Sequence, residues 1–258
     1  MTSDSTQLPP QGHLTTVNGI QMYYEVYGEG APLVLLHGTP GTGRAWEPVI
    51  PYFAEHYQLI VPDLRGYGHS TNPENDFTHR QMALDVIALL DRLEADEFEA
   101  MGISSGAITL LHMATQQPTR LESMVLIGGT PYVSEQSRTL VREWILDSAN
   151  WDWEELRQLH VHGDDQIQAI IDGLHHYVNT YDDVNFTPDY LSTITAKTLI
   201  VHGDRDQHFP VSLAVELYTS IPNAYLYVVP NGGHVPIMDE RVELFTQTAL
   251  EFLRGEWE

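Results

Sequence analysis

The chain has 258 residues, 42% hydrophobic and 10% aromatic, which suits one large α/β domain carrying a small insertion. It holds no cysteine, so disulfides, thiolate metal sites and a cysteine nucleophile are excluded. Thirty-six acidic residues against twelve basic ones give a formal net charge of −24; such a surface repels phosphate backbones and anionic membranes, so neither nucleic acid nor a membrane is an expected partner.

Residues 1–12 are polar, with neither the basic start nor the apolar stretch of a targeting signal. They are expected to form a mobile tail, and no apolar run approaches the roughly 18 residues of a membrane span. A cytoplasmic protein, monomeric or homodimeric, is the default expectation. From His13 to Tyr27 the chain predicts a β-hairpin: Asn18-Gly19 suits a two-residue turn, and Ile20, Met22, Tyr24 and Val26 alternate with more polar neighbours. Pro32 to Leu36 is an apolar run expected of a strand buried on both faces. It ends in the glycine-rich His37-Gly38-Thr39-Pro40-Gly41-Thr42-Gly43, which lacks the lysine and spacing of a phosphate-binding loop. His37, immediately before a glycine turn, is expected to brace that loop by hydrogen bonds. Arg44 to His56 predicts an amphipathic helix, and Gln58 to Pro62 a further strand. In the loop that follows, Asp63 and Arg65 are expected to form a structural ion pair. Gln81 to Leu93 predicts a helix with Met82, Val86, Leu89, Leu90 and Leu93 on one stripe.

Next comes Gly102-Ile103-Ser104-Ser105-Gly106, preceded by a strand at Phe98–Met101 and followed by helical apolar spacing from Ala107 to Ala114. A strand turning at once into a helix must pass its central serine through a strained backbone, and the flanking residues then crowd each other. Glycine is needed two before and two after. The geometry exposes Ser104 Oγ and leaves the Ser105 amide free to face a developing oxyanion, with the Thr39 amide as second donor from the loop after the Pro32–Leu36 strand.

Met124 to Ile127 predicts another strand, after which the alternation of strands and helices stops over residues 131–190. Three helical stretches there carry Trp144, Trp151 and Trp153, expected as substrate-binding residues of a lid. The histidines His160, His162, His175 and His176 match no metal-ligand spacing, and no metal is expected. Strands at Thr198–His202 and Tyr225–Val229 and helices at Val211–Thr219 and Glu240–Leu253 complete the alternation, which implies a mostly parallel sheet.

Three strand ends carry a serine, an acid and a histidine in that order: Ser104, Asp204 or Asp206, and His234. Ser104 is inert at its own pKa and needs His234 to take its proton; a buried carboxylate orients the imidazole. Spacing alone leaves the two aspartates open. Taken together, His37-Gly38, Asp63-Leu64-Arg65-Gly66-Tyr67-Gly68-His69-Ser70, the serine elbow, Gly203-x-x-Asp206-x-x-x-Pro210 and Gly233-His234 resemble the α/β-hydrolase superfamily, in its small cap-bearing group. The loop at His37–Gly41 is similar to that of proline iminopeptidases, and the Ser104 region and cap to valacyclovir-hydrolase-type esterases. The resemblance implies an α/β-hydrolase core over 13–130 and 191–258 with a helical cap at 131–190. It puts the catalytic acid at Asp206, implies no cofactor, and names a small acyl compound as substrate. The expected activity is serine hydrolysis of an ester or lactone. Alternatives are another reaction on the same triad (C–C bond hydrolysis, perhydrolysis, a lyase step, aminopeptidase action) or a low-turnover binding protein.

Overall fold

The computed structural model describes residues 11–257; of the tail expected at 1–12, residues 1–10 lie outside them. Gln11 and Gly12 belong to the first strand rather than to a tail. β1 (Gln11–Val17) and β2 (Ile20–Tyr27) form the hairpin, with Asn18 and Gly19 both at positive φ as a tight two-residue turn requires. β3 (Ala31–Leu36), β4 (Tyr57–Pro62), β5 (Phe98–Ile103), β6 (Leu121–Ile127), β7 (Lys197–Gly203) and β8 (Ala224–Val229) complete an eight-stranded sheet in the order β1-β2-β4-β3-β5-β6-β7-β8. β2 pairs antiparallel with β1 and β4, and every other pairing is parallel. The central strands are sealed on both faces, and every residue of β5 is buried, which is why these segments read as continuous apolar runs.

Helices cover both faces. α2 (His79–Arg92), α3 (Ser105–Gln116) and α8 (Val211–Ser220) lie on one, where Met82, Val86 and Leu89 join Ile108 and Leu111 in the larger core cluster. α1 (Ile50–Phe53) and α9 (Val242–Leu253) lie on the other, packing Phe53, Phe245 and Phe252 against the sheet. At about 1.5–3 kcal/mol for each large apolar side chain fully buried, either face far outweighs the local strain described below. Between β6 and β7 the chain forms α4 (Glu135–Leu146), α5 (Trp153–Leu159), α6 (Asp164–Asn179) and α7 (Pro188–Leu191). Val141, Ile145, Leu156, Ile167, Ile171, Leu174 and Val178 form a separate small core within that segment.

Residues 44–56 are not the single helix expected. A 3-10 turn at Gly43–Trp46 is followed by the four-residue α1. Pro48 and Pro51 interrupt the stretch, since proline lacks the amide a helix interior needs and disfavours helical geometry in the residue before it. Among the described residues, no helix is long and apolar enough to cross a membrane.

Candidate active site

β5 passes into α3 through Ser104 alone, at φ 52° and ψ −113°. A non-glycine residue in that region costs of order 1–3 kcal/mol and persists only where its surroundings hold it. Here the Ser104 amide donates to the Ile127 carbonyl at 2.8 Å and its carbonyl accepts from the Ile108 amide at 3.1 Å, tying the turn to β6 and to α3. A Cβ on Gly102 would come within 2.6 Å of the Gly106 backbone, and one on Gly106 within 2.7 Å of the His37 carbonyl oxygen. The two glycines are therefore required by close approach.

The parallel sheet brings Ser104, Asp206 and His234 together from the carboxyl ends of β5, β7 and β8. His234 Nε2 lies 2.8 Å from Ser104 Oγ, and its Nδ1 lies 2.8 Å from Asp206 Oδ2. The other Asp206 oxygen accepts from the amides of His208 at 2.8 Å and Phe209 at 3.0 Å. Its side chain is fully buried, and burial by itself pushes the carboxyl up. The hydrogen bond and charge of His234, with the Phe209 amide, outweigh burial and hold it below the usual carboxylate range. Asp204, in contrast, is exposed and touches only Arg205, at 3.8 Å. Geometry thus separates the two aspartates that spacing left open.

The loop after β3 lies against the elbow. Thr39 Oγ1 is 2.8 Å from the Tyr67 hydroxyl and 3.1 Å from Ser105 Oγ. Burial pushes the Tyr67 hydroxyl up to about 12, so it stays protonated. Among the described residues, neither the Thr39 nor the Ser105 amide donates to another backbone group, so both remain free for an oxyanion. His37 braces this loop as a buried neutral imidazole: Nδ1 donates to the Gly38 carbonyl at 3.1 Å and Nε2 accepts from the Leu64 amide at 3.0 Å.

Two expectations are corrected here. Asp63 and Arg65 do not pair. Asp63 accepts from the amides of Gly43 and His69, both at 2.9 Å, while Arg65 grips Asp85 of α2 at 2.6 and 3.1 Å. A guanidinium fork is best met by a carboxylate with both oxygens free for it, and Asp63 has committed its own to amides. Of the three tryptophans, only Trp144 lines the cavity above Ser104. Trp151 stacks on Trp144 with ring centroids 4.5 Å apart, and Trp153 donates to the Ser148 carbonyl at 3.0 Å, so both act as packing within the helical segment.

The cavity holds about 710 Å³ of empty space, its open mouth included. Ser104, Ser105, Thr39 and His234 form its polar end, and Phe77, Met82, Ile108, Val141 and Leu174 supply much of the apolar wall. Tyr67, His79, His208 and Phe209 also line it and were missed from sequence. His208 sits edge-on to His234 with ring centroids 4.8 Å apart; burial, then repulsion from His234, pushes it down. Its place two residues past Asp206 was the only available signal. No metal-binding group of three or more His, Asp or Glu occurs among the described residues. His160 and His162 instead bond to backbone groups of the neighbouring loops.

The chain belongs to the alpha/beta hydrolase fold family, whose model matches residues 31–162, just over half of its length. The human serine hydrolase BPHL is 29% identical over 229 residues, covering 84% of this chain and 78% of that protein. The 2-hydroxymuconate semialdehyde hydrolase of Pseudomonas sp. (strain CF600) is 26% identical over 254 residues, covering 88% of each. Among solved structures, Est816, described as an N-acyl homoserine lactone degrading enzyme, superposes with a TM-score of 0.75 at 25% identity, covering 94% of this chain and 99% of that one.

Proposed function

We propose that this chain is a serine hydrolase that cleaves a small ester or lactone through Ser104, His234 and Asp206, with residues 131–190 acting as a cap over the site. The observation that carries this reading is the relay in which one imidazole sits 2.8 Å from both a strained serine that lines the cavity and a buried carboxylate. Ser104 Oγ attacks the substrate carbonyl while its proton passes to His234 Nε2. The new oxyanion is met by the Thr39 and Ser105 amides, and Asp206 stabilises the imidazolium. His234 then protonates the leaving oxygen as the carbonyl–oxygen bond breaks, leaving an acyl-Ser104. A water molecule, deprotonated by His234, attacks that ester, and the proton returns to Ser104 Oγ as the acid departs. No step calls for a cofactor. The cavity is lined mostly by apolar side chains, which suits a compact acyl or alcohol group.

A fluorophosphonate probe tests the assignment. It is expected to label Ser104 alone, and Ser104→Ala is expected to lose the label and fall to at most the roughly 10³–10⁴-fold residual acceleration seen in triad knock-outs. An adduct mapped to Ser105, or full ester turnover by folded Ser104→Ala protein, overturns it.

A further inference from the structure

Besides His208 and His234, one more imidazole lines the cavity. His79 is the first residue of α2, and its Nδ1 lies 2.6 Å from Asp183 Oδ2. The same oxygen accepts from the His79 amide at 2.8 Å, and Oδ1 accepts from the Arg80 amide at 3.1 Å. Burial pushes the Asp183 carboxyl up, yet the hydrogen bond and charge of His79, with the two amides, outweigh it and hold the group well below the usual range. A carboxylate that keeps its charge accepts the Nδ1 proton, which leaves Nε2 as the ring nitrogen that can meet a ligand. Nε2 has no hydrogen-bond partner among the described residues, and it is not sealed off from open space. The side chain keeps 7% of its surface accessible, and the residue lines the cavity.

Asp183 is itself held to α3, where His112 Nε2 donates to its carbonyl at 2.7 Å. Beside His79, with ring centroids 5.4 Å apart, stands Tyr177, whose buried hydroxyl also lacks a partner. Burial raises that hydroxyl far above its ordinary value, so it remains a neutral donor. Phe77, Met82 and Leu174 line the same cavity. An unpartnered polar atom open to an otherwise apolar wall marks where a ligand's polar group belongs.

We propose that His79, oriented by Asp183, is a specificity subsite for a hydroxyl on the substrate. A hydroxyl can donate to Nε2 or accept from it, so it pairs with the ring in either protonation state. A methyl group leaves Nε2 unpaired. A carboxylate stands against the charge of Asp183, and an ammonium group exchanges its full hydration for at most a single acceptor. This inference names the substrate class of the hydrolase reading and rests on it.

The test uses 4-nitrophenyl esters of straight-chain acids ending in hydroxyl, methyl, carboxylate or ammonium, over a range of chain lengths. Binding is measured by calorimetry with Ser104→Ala protein, and turnover with the unaltered enzyme. The hydroxyl ester is expected to bind about tenfold more tightly than its methyl partner at one chain length, the advantage fading on either side. His79→Gln and Asp183→Asn are expected to narrow that ratio. Equal binding of the pair at every length, tighter binding of the carboxylate or ammonium ester, or a ratio that survives both variants overturns the subsite. A hydroxyl preference in binding without any turnover leaves the subsite standing and overturns the hydrolase reading instead.

Discussion

Asp206 and Asp204 lie two residues apart, yet their surroundings are opposite. Asp206 has no exposed side-chain surface and spends its two oxygens on His234 and on two loop amides. Asp204 is exposed, with one long contact to its neighbour Arg205. Only a carboxylate fixed against Nδ1 can hold the His234 tautomer whose Nε2 is free to accept the serine proton. Asp206→Asn is therefore expected to lower kcat by about 10⁴-fold with a near-normal melting temperature, as the equivalent change does in a serine protease. Asp204→Asn is expected to stay within a few-fold of the parent. Steady-state kinetics on an activated ester decide it, and the reverse ranking in folded protein moves the acid to Asp204.

The helical segment is joined to the core beside the oxyanion loop. His160, which follows α5, accepts from the Gly68 amide at 3.0 Å through Nδ1 and donates to the Pro40 carbonyl at 2.9 Å through Nε2. Gln166 of α6 adds bonds to the Gly66 and Gly68 carbonyls at 3.1 and 3.0 Å. His160 thus clamps the residue next to Thr39 from the far side of the site. Removing it leaves a buried amide and a buried carbonyl unpaired, at about 1–3 kcal/mol each. His160→Phe is expected to lower the melting temperature by roughly 5–15 °C. It is also expected to reduce kcat more than it raises KM, since the disturbed loop carries Thr39, the proposed oxyanion donor. A stable variant with unchanged kcat refutes the clamp. The helices themselves are cut by local signals: Thr78, Ser134, Asp152 and Thr187 cap α2, α4, α5 and α7 by accepting from an amide of the first turn.

For the whole molecule, two electrostatic effects oppose each other as pH falls. The charge of −24 repels itself, and protonation relieves it, but ordinary carboxylates titrate only near pH 4. Buried histidines respond sooner. Burial pushes His112 and His160 down from 6.5 to about 4, with repulsion from other side chains adding to it and hydrogen bonds to carbonyls working against it. His37 and His202 move the same way, again chiefly through burial. A folded-state value below the unfolded one means that the unfolded chain binds protons first. This contribution to stability is present in full above pH 6.5 and is lost as pH falls towards about 4. The melting temperature is therefore expected to fall steadily from pH 7.5 to 5 at fixed salt, and at pH 7.5 to rise with added salt as repulsion is screened. Thermal melts check both, and a melting temperature that rises on acidification makes surface repulsion the dominant effect.

Much of the architecture was legible before any coordinates. Asn18-Gly19 set a hairpin, apolar runs set buried strands, stripes such as Met82–Val86–Leu89 set helices, and Gly102 and Gly106 set the elbow. Each of these rests on interactions within a few residues, so local order suffices. The break at Pro48 and Pro51 was legible too, and amphipathic spacing concealed it. Other pairings were not readable in this way: Asp206 over Asp204 at His234, Asp85 rather than Asp63 at Arg65, and Trp144 rather than Trp151 or Trp153 at the cavity. The same holds for the meeting of His79 with Asp183, 104 residues further along the chain. Those contacts depend on which faces the packed sheet, α2, α3 and the segment before β7 turn towards one another. Burial and hydrogen bonding over the whole molecule select them, and no local spacing encodes that choice.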